Sequence, residues 1–94
     1  MRFIDQKKKF KQDLKRESRG RYRNVIVSEL WDVIDALAND ITLDPSYNDH
    51  PLHHNWEGSR DCHLAHDLVL VYTLEGEDVL ILERLGSHSE IFSL

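Results

Sequence analysis

Residues 50–92 read HPLHHNWEGSRDCHLAHDLVLVYTLEGEDVLILERLGSHSEIF, and the fold turns on how this stretch is parsed. Its apolar residues alternate or run together instead of recurring at helical steps, which is strand patterning. DLVLVYTL (67–74) reads as a buried strand and DVLILERL (78–85) as another, joined by the turn EGED (75–78). NWEGSRDCHL (55–64) reads as one strand or two, interrupted at Gly58. Together these segments make an antiparallel meander. GSHSEIF (86–92) leaves the last strand through Gly86, where Ser87 or Ser89 caps a short terminal helix or holds a turn.

Upstream the period is helical. NDITLDPSYNDHP (39–51) holds both prolines of the chain and reads as a loop. Before it, over residues 22–38, Ile26, Leu30, Val33, Ile34 and Leu37 recur at three- and four-residue steps, the pattern of an amphipathic helix. Val27 and Trp31 are expected to widen its buried side. Over residues 7–19, Phe10 and Leu14 give a narrower apolar stripe on a basic helix that Gly20 ends. RFID (2–5) reads as a short edge strand or as the first turn of that helix. The expected fold is α+β, an N-terminal helical hairpin packed on a small antiparallel β-sheet, in one domain of 94 residues.

Composition narrows the class. Hydrophobic content of 40% beside 31% charged residues is globular rather than disordered. No apolar run approaches the roughly 18 residues of a membrane span. The start MRFIDQKKKF lacks the apolar segment of a secretory signal, so a cytoplasmic location with no membrane partner is expected. The single Cys62 cannot form an intrachain disulfide, in keeping with a reducing compartment, and reads as a buried filler of a strand. Residues 1–24 hold ten of the twelve Lys and Arg residues and three of the seventeen carboxylates, so a net acidic chain carries a basic N-terminal face. Such a face could meet polyanions, or could simply be a solvated helix surface.

All six histidines and the two arginines outside the basic region, Arg60 and Arg84, fall in residues 50–92. Histidines facing one cleft can divide general-base and general-acid work, which phosphodiester transesterification requires. A planar guanidinium such as that of Arg84 suits two oxygens of a phosphorane-like transition state. With RNA the attacking group is the substrate's own 2′-hydroxyl, and an aromatic ring such as Phe92 can stack on a splayed base. Each residue also has a plain structural reading. His50 in DHP is a turn residue, His63 a hydrogen-bonded strand residue and Asp67 a turn cap; Arg84 is a surface ion pair, and His88 with Phe92 a packing pair on a helical turn. His50, His53 and His54 lie close together and His63 and His66 three apart, yet with one cysteine the spacing matches no closed zinc site. No glycine-rich phosphate loop is present, and no cofactor is expected.

DHPLHHNWEGSRDCHLAHDLVLVYTL (49–74), followed by LERLGSHSEIF (82–92), closely resembles the YafQ branch of the RelE/ParE toxin superfamily. These are bacterial type II toxins that cleave messenger RNA in the ribosomal decoding site. The resemblance runs from Tyr47 to Phe92, on the pattern H-P-L-x-G-x-W-x-G-x-R-x-x-H-x-x-x-D-x-x-L-x-Y and then R-x-G-[ST]-H-x-x-[LI]-F. The helices before it match in kind. Carried over by position, the resemblance makes His50, His63, Asp67 and His88 the acid/base set. Arg84 then lies on the scissile phosphate, and Phe92 and Arg60 are substrate contacts. His88 is the implied acid, and His50 or His63, oriented by Asp67, the base. The resemblance implies metal-independent cleavage to a 2′,3′-cyclic phosphate or 3′-phosphate and a 5′-hydroxyl, with the basic helices on ribosomal RNA.

The implied partners are the ribosome with its messenger RNA and a cognate DinJ/RelB-like antitoxin, through which operator DNA is bound and the operon repressed. The chain departs from the pattern at His54, where the family has glycine, at His66, where it has proline or a small turn residue, and in being acidic where such toxins are commonly basic. The competing class is a non-catalytic binding module or corepressor of the same fold, or a ParE-like toxin acting on gyrase. A gyrase binder would have no reason to hold His50, His63, Asp67, Arg84 and His88 together.

Overall fold

The computed structural model describes residues 1–92. The chain opens on strand β1 (Phe3–Gln6), followed by helix α1 (Lys8–Glu17). Helix α2 runs from Arg23–Val25 through a π-helical turn, Ile26–Leu30, into Trp31–Ala38. A loop with the 3-10 turn Pro45–Tyr47 leads to the two-residue strand β2 (His50–Pro51). A second 3-10 turn, His54–Trp56, precedes strands β3 (Arg60–Ala65), β4 (Leu68–Glu75) and β5 (Val79–Gly86), and the short helix α3 (His88–Phe92). The sheet order is β1-β5-β4-β3-β2. The meander β3-β4-β5 is antiparallel as expected, but β1 joins β5 in parallel. No helix of the described residues is long and apolar enough to cross a membrane.

The α+β class stands, and two parts of the expected layout change. The sheet is mixed, and the chain begins with a strand, so the expected N-terminal helical hairpin is not what opens the fold. Of the two readings of residues 2–5 the edge strand is the one adopted, held by Phe3 N–H to Asp78 O at 2.7 Å and Lys7 N–H to Leu82 O at 3.1 Å. Asn55 and Trp56 lie in a 3-10 turn rather than a strand. Gly58, at φ 95°, lets the chain turn into β3.

Both faces of the sheet are covered, by different elements. Phe10 of α1 and Ile26, Leu30, Val33, Ile34 and Leu37 of α2 pack on Cys62, Leu64, Leu70, Tyr72, Leu80, Leu82 and Leu85. This apolar stripe of α2 is the one its sequence spacing predicts. Val27 and Trp31 instead are 85% and 44% exposed. One residue beyond Ile26 and Leu30 is roughly 100° around a helix, which carries both side chains off the stripe. On the opposite face Val69 and Val71 pack with Ile91, against which Leu52, Trp56 and Phe92 are partly buried.

Between Val71/Arg84 and Tyr72/Leu82 the β4–β5 register shifts, leaving Glu83 as an extra residue in β5. A bulge of this kind inverts the alternation beyond it. Leu82 and Leu85 both reach the helix-covered core, three residues apart, while Arg84 pairs with Val71 on the other face.

Candidate active site on the sheet face opposite the long helices

Four strands contribute one transverse row. His50 on β2 pairs with Asp61 on β3, Asp61 with Val71 on β4, and Val71 with Arg84 on β5. Residues directly opposite one another project from the same face, so His50, Asp61 and Arg84 share the face of Val69 and Val71. The next row along holds His63, Val69 and Gly86. His88 follows Gly86 by two residues at the start of α3, which brings a third imidazole beside the first two. The His50 and His63 ring centroids are 6.1 Å apart, and those of His63 and His88 are 5.1 Å apart.

Two carboxylates serve these rings. Asp61, only 2% exposed, sits with Oδ1 2.8 Å from His50 Nε2 and 3.8 Å from His63 Nε2. Oδ1 is sealed from solvent and has no aligned hydrogen-bond donor, because the His50 nitrogen approaches closely without directing an N–H at it. Burial pushes the Asp61 carboxyl above its ordinary range, and the positive field of His50, His63 and His88 opposes that rise. Burial likewise lowers the His63 imidazole, favouring its neutral, proton-accepting form. Asp67 Oδ1 accepts from the His88 backbone N–H at 3.0 Å and lies 2.8 Å from His88 Nδ1. These bonds hold Asp67 below the usual carboxylate range. A proton on His88 Nδ1, facing Asp67, leaves Nε2 as the nitrogen free for substrate.

Helix α3 is short and is held by a reciprocal cap. Glu90 N–H donates to Ser87 Oγ at 3.2 Å and Ser87 N–H to Glu90 Oε1 at 3.0 Å. Phe92 lies 6.2 Å from the His88 ring and meets Trp56 edge-on at 6.3 Å.

Arg84 is held from α1. Its Nε donates to Asp13 Oδ2 at 2.7 Å and its Nη2 to Asp13 Oδ1 at 3.2 Å. Asp13, 2% exposed, also accepts from Leu85 N–H at 3.0 Å and from Arg16 Nη1 at 2.9 Å. Burial works to raise the Asp13 carboxyl, but the bonds from Arg84, Leu85 and Arg16 outweigh it and hold the group below its ordinary value. Two of the five guanidinium N–H groups of Arg84 are thereby used, and the rest remain for a ligand.

Of the residues singled out from the sequence, the fold brings His50, His63 and His88 together, with Asp67 against His88 and with Phe92 and Arg84 alongside. Asp67 therefore stands against His88, the expected acid, and the carboxylate beside His50 and His63 is Asp61. Arg60 is elsewhere. It pairs with Tyr72 on the helix-covered face, where its Nε is 3.3 Å from Asp49 Oδ1, the oxygen that also accepts from Tyr72 Oη at 2.6 Å. Sequence reading missed Asp61 and Asp13. Asp61 could have been found, because it stands two residues before His63 in a strand and so shares its face. Asp13 sits among lysines and carries no such signal.

The His50, Asp61 and His63 ligand atoms all lie within 4.8 Å of one another, a spacing that suits one cation. Two imidazoles with one carboxylate are a donor set for a borderline transition metal such as copper or zinc. The histidine clusters suggested by spacing are not used: His53, His54 and His66 are exposed.

Residues 2–93 match the family described as bacterial toxin of type II toxin-antitoxin system, YafQ. The chain is 39% identical over 56 residues, 60% of either protein, to the mRNA interferase toxin YafQ of Escherichia coli strain K12. A copper-bound mutant toxin from Helicobacter pylori has the same fold, with a TM-score of 0.83 and 40% identity over 98% of this chain and 100% of that one. YafQ in the E. coli DinJ-YafQ complex gives a TM-score of 0.81 with 32% identity, covering 98% of this chain and 99% of that one. The match across nearly the whole length identifies the chain as a member of the YafQ family of bacterial type II toxins.

Proposed function

We propose that this chain is a messenger RNA endoribonuclease that acts on the ribosome, in the cytoplasm, by acid/base transesterification without a metal. The observation that carries the reading is the convergence of His50, His63 and His88 on one sheet face between two carboxylates, next to Arg84 and Phe92. In the reaction a base-side imidazole, His63 or His50 beside Asp61, takes the proton of the 2′-hydroxyl. The 2′-oxygen bonds to phosphorus and the bond to the 5′-oxygen breaks. His88, oriented by Asp67, returns a proton to the departing 5′-oxygen, leaving a 2′,3′-cyclic phosphate and a 5′-hydroxyl. The free N–H groups of Arg84 face the charge that builds on the nonbridging oxygens. The neutral form of His63, favoured by burial, supports its place on the base side.

The donor set His50, Asp61 and His63 fits a copper ion like that named for the Helicobacter pylori relative. In this reading such an ion competes with catalysis, because it occupies the lone pairs that accept the substrate proton. A DinJ-like antitoxin neutralises the toxin, and the pair binds operator DNA through the antitoxin. Primer extension on a defined messenger RNA in programmed ribosomes tests the reading. Cleavage is expected with the parent chain and lost with His88→Ala or without ribosomes. Unchanged cleavage by His88→Ala would sink the acid assignment, and no cleavage by folded parent protein would turn the search to gyrase or to a corepressor role.

A further inference from the structure

Beside the histidine face lies a second cleft, of about 320 Å³, lined by Lys7, Lys8, Lys9, Trp56, Glu83 and Arg84. It forms where the chain leaves β1 along the edge of β5. The Lys7 N–H is tied to Leu82 O, which brings three consecutive lysines alongside Glu83 and Arg84. The lysines are exposed, and none is within ion-pair distance of a carboxylate among the described residues. Glu83 is the one carboxylate in the lining; it is held by Thr73 Oγ1, which donates to its Oε2 at 2.8 Å, and three lysines leave the cleft net cationic. Opposite the lysines stands Trp56, partly buried against Val69 and Val71. A concave site that offers an aromatic surface and several unpaired cations is complementary to a nucleotide, which presents a flat base and a phosphate anion.

The cleft is continuous with the site already described in two ways. It shares Arg84, and its Trp56 ring meets Phe92 edge-on. We propose that it is a nucleotide subsite that takes one residue of the RNA strand neighbouring the scissile phosphate, its base against Trp56 and its phosphate among Lys7, Lys8 and Lys9. The proposal rests on the ribonuclease reading for the identity of the strand. The shared Arg84 favours nucleic acid over an acidic protein segment, because one strand can then occupy both clefts without a break.

The test uses the full chain on programmed ribosomes whose messenger RNA carries a 2′-O-methyl group at the cleavage site and 4-thiouridine at one neighbouring position at a time. Irradiation is expected to crosslink one neighbouring nucleotide to the peptide containing Trp56. In parallel, the Lys7→Gln, Lys8→Gln, Lys9→Gln triple variant is expected to bind the 2′-O-methyl RNA at least tenfold more weakly. The slope of log affinity against log salt should become shallower by about 0.7, the value of one phosphate contact on single strands. A purely packing role for Trp56 would not move that slope. Crosslinks from the neighbouring positions that map only to residues 88–92, with an unchanged slope in the triple variant, would overturn the subsite. Cleavage of unmodified messenger RNA is measured alongside. Cleavage without the crosslink rejects the subsite and keeps the nuclease, the crosslink without cleavage does the reverse, and absence of both rejects both.

Discussion

Asp13 and Arg84, 71 residues apart in the chain, meet through two parallel hydrogen bonds that leave the outer edge of the guanidinium open. The carboxylate that aims the cation belongs to α1, and the cation to β5. Removing Asp13 should therefore affect both stability and turnover. Asp13→Ala is expected to destabilise the chain by about 3 kcal/mol, the usual cost of leaving a largely buried charge unpaired. The double variant Asp13→Leu, Arg84→Met should recover part of that loss. Urea titrations of the three proteins measure both, and a double variant less stable than the single one would count against the unpaired Arg84 charge as the source of the loss. The pH dependence has a definite sign. With its carboxyl held below the ordinary value of 3.8, Asp13 adds stability above that pH and loses it as the solution is acidified further.

The proton balance at His63 gives a second expectation. Burial lowers its imidazole, so a base-side role for His63 puts the acidic limb of single-turnover cleavage below about pH 6.5, the ordinary histidine value. The Asp61 charge raises His63, so Asp61→Asn should move that limb further toward acid while lowering the maximum rate. Rate profiles on pre-bound ribosomes decide this. A limb at or above the ordinary value would move the base role to another group.

Copper should bind at His50, Asp61 and His63 and slow the reaction. Isothermal titration with the parent, His50→Ala and His88→Ala is expected to show tight binding for the first and third and at least tenfold weaker binding for the second. A chelator should restore cleavage. Equal affinity in all three proteins would place the ion outside this group.

His54 stands at φ 58°, a conformation that costs a residue bearing a Cβ about 1 kcal/mol relative to glycine. His54→Gly is expected to raise stability by about that amount, without loss of cleavage, since the exposed His54 ring is outside the histidine row. Thermal unfolding reports the first effect and primer extension the second. An unchanged or lower midpoint would mean that the loop relaxes around the side chain at no cost. The same angle explains how histidine can stand where the resemblance expects glycine: the backbone keeps the turn and bears the strain.

Much of the layout was legible because it is local. The apolar steps of Ile26, Leu30, Val33, Ile34 and Leu37 specify which side of α2 is buried, and the runs 67–74 and 78–85 specify strands. The turn residues between those strands require that they pair antiparallel. What escaped was non-local. The parallel pairing of β1 with β5 depends on where α1 and α2 deliver the chain, and residues 2–5 are too short to choose a partner alone. Val27 and Trp31 are exposed although apolar, because angular position on the helix, and not residue type, decides which side chains reach the core.

The candidate site divides in the same way. The sequence by itself determined the candidate groups, with His50, His63, Asp67, Arg84, His88 and Phe92 each on a recognisable turn, strand or helix start. Only the tertiary structure decided which of them meet. Simple alternation would carry Arg84 to the helix side with Leu80 and Leu82, yet the extra residue Glu83 turns it to the histidine face. It would leave Arg60 looking as suitable as Arg84, although pairing with Tyr72 puts it on the far side of the sheet. Strand register and bulges arise from hydrogen bonds between segments distant in the chain, and those bonds, more than any residue's own preference, set the face from which each side chain acts.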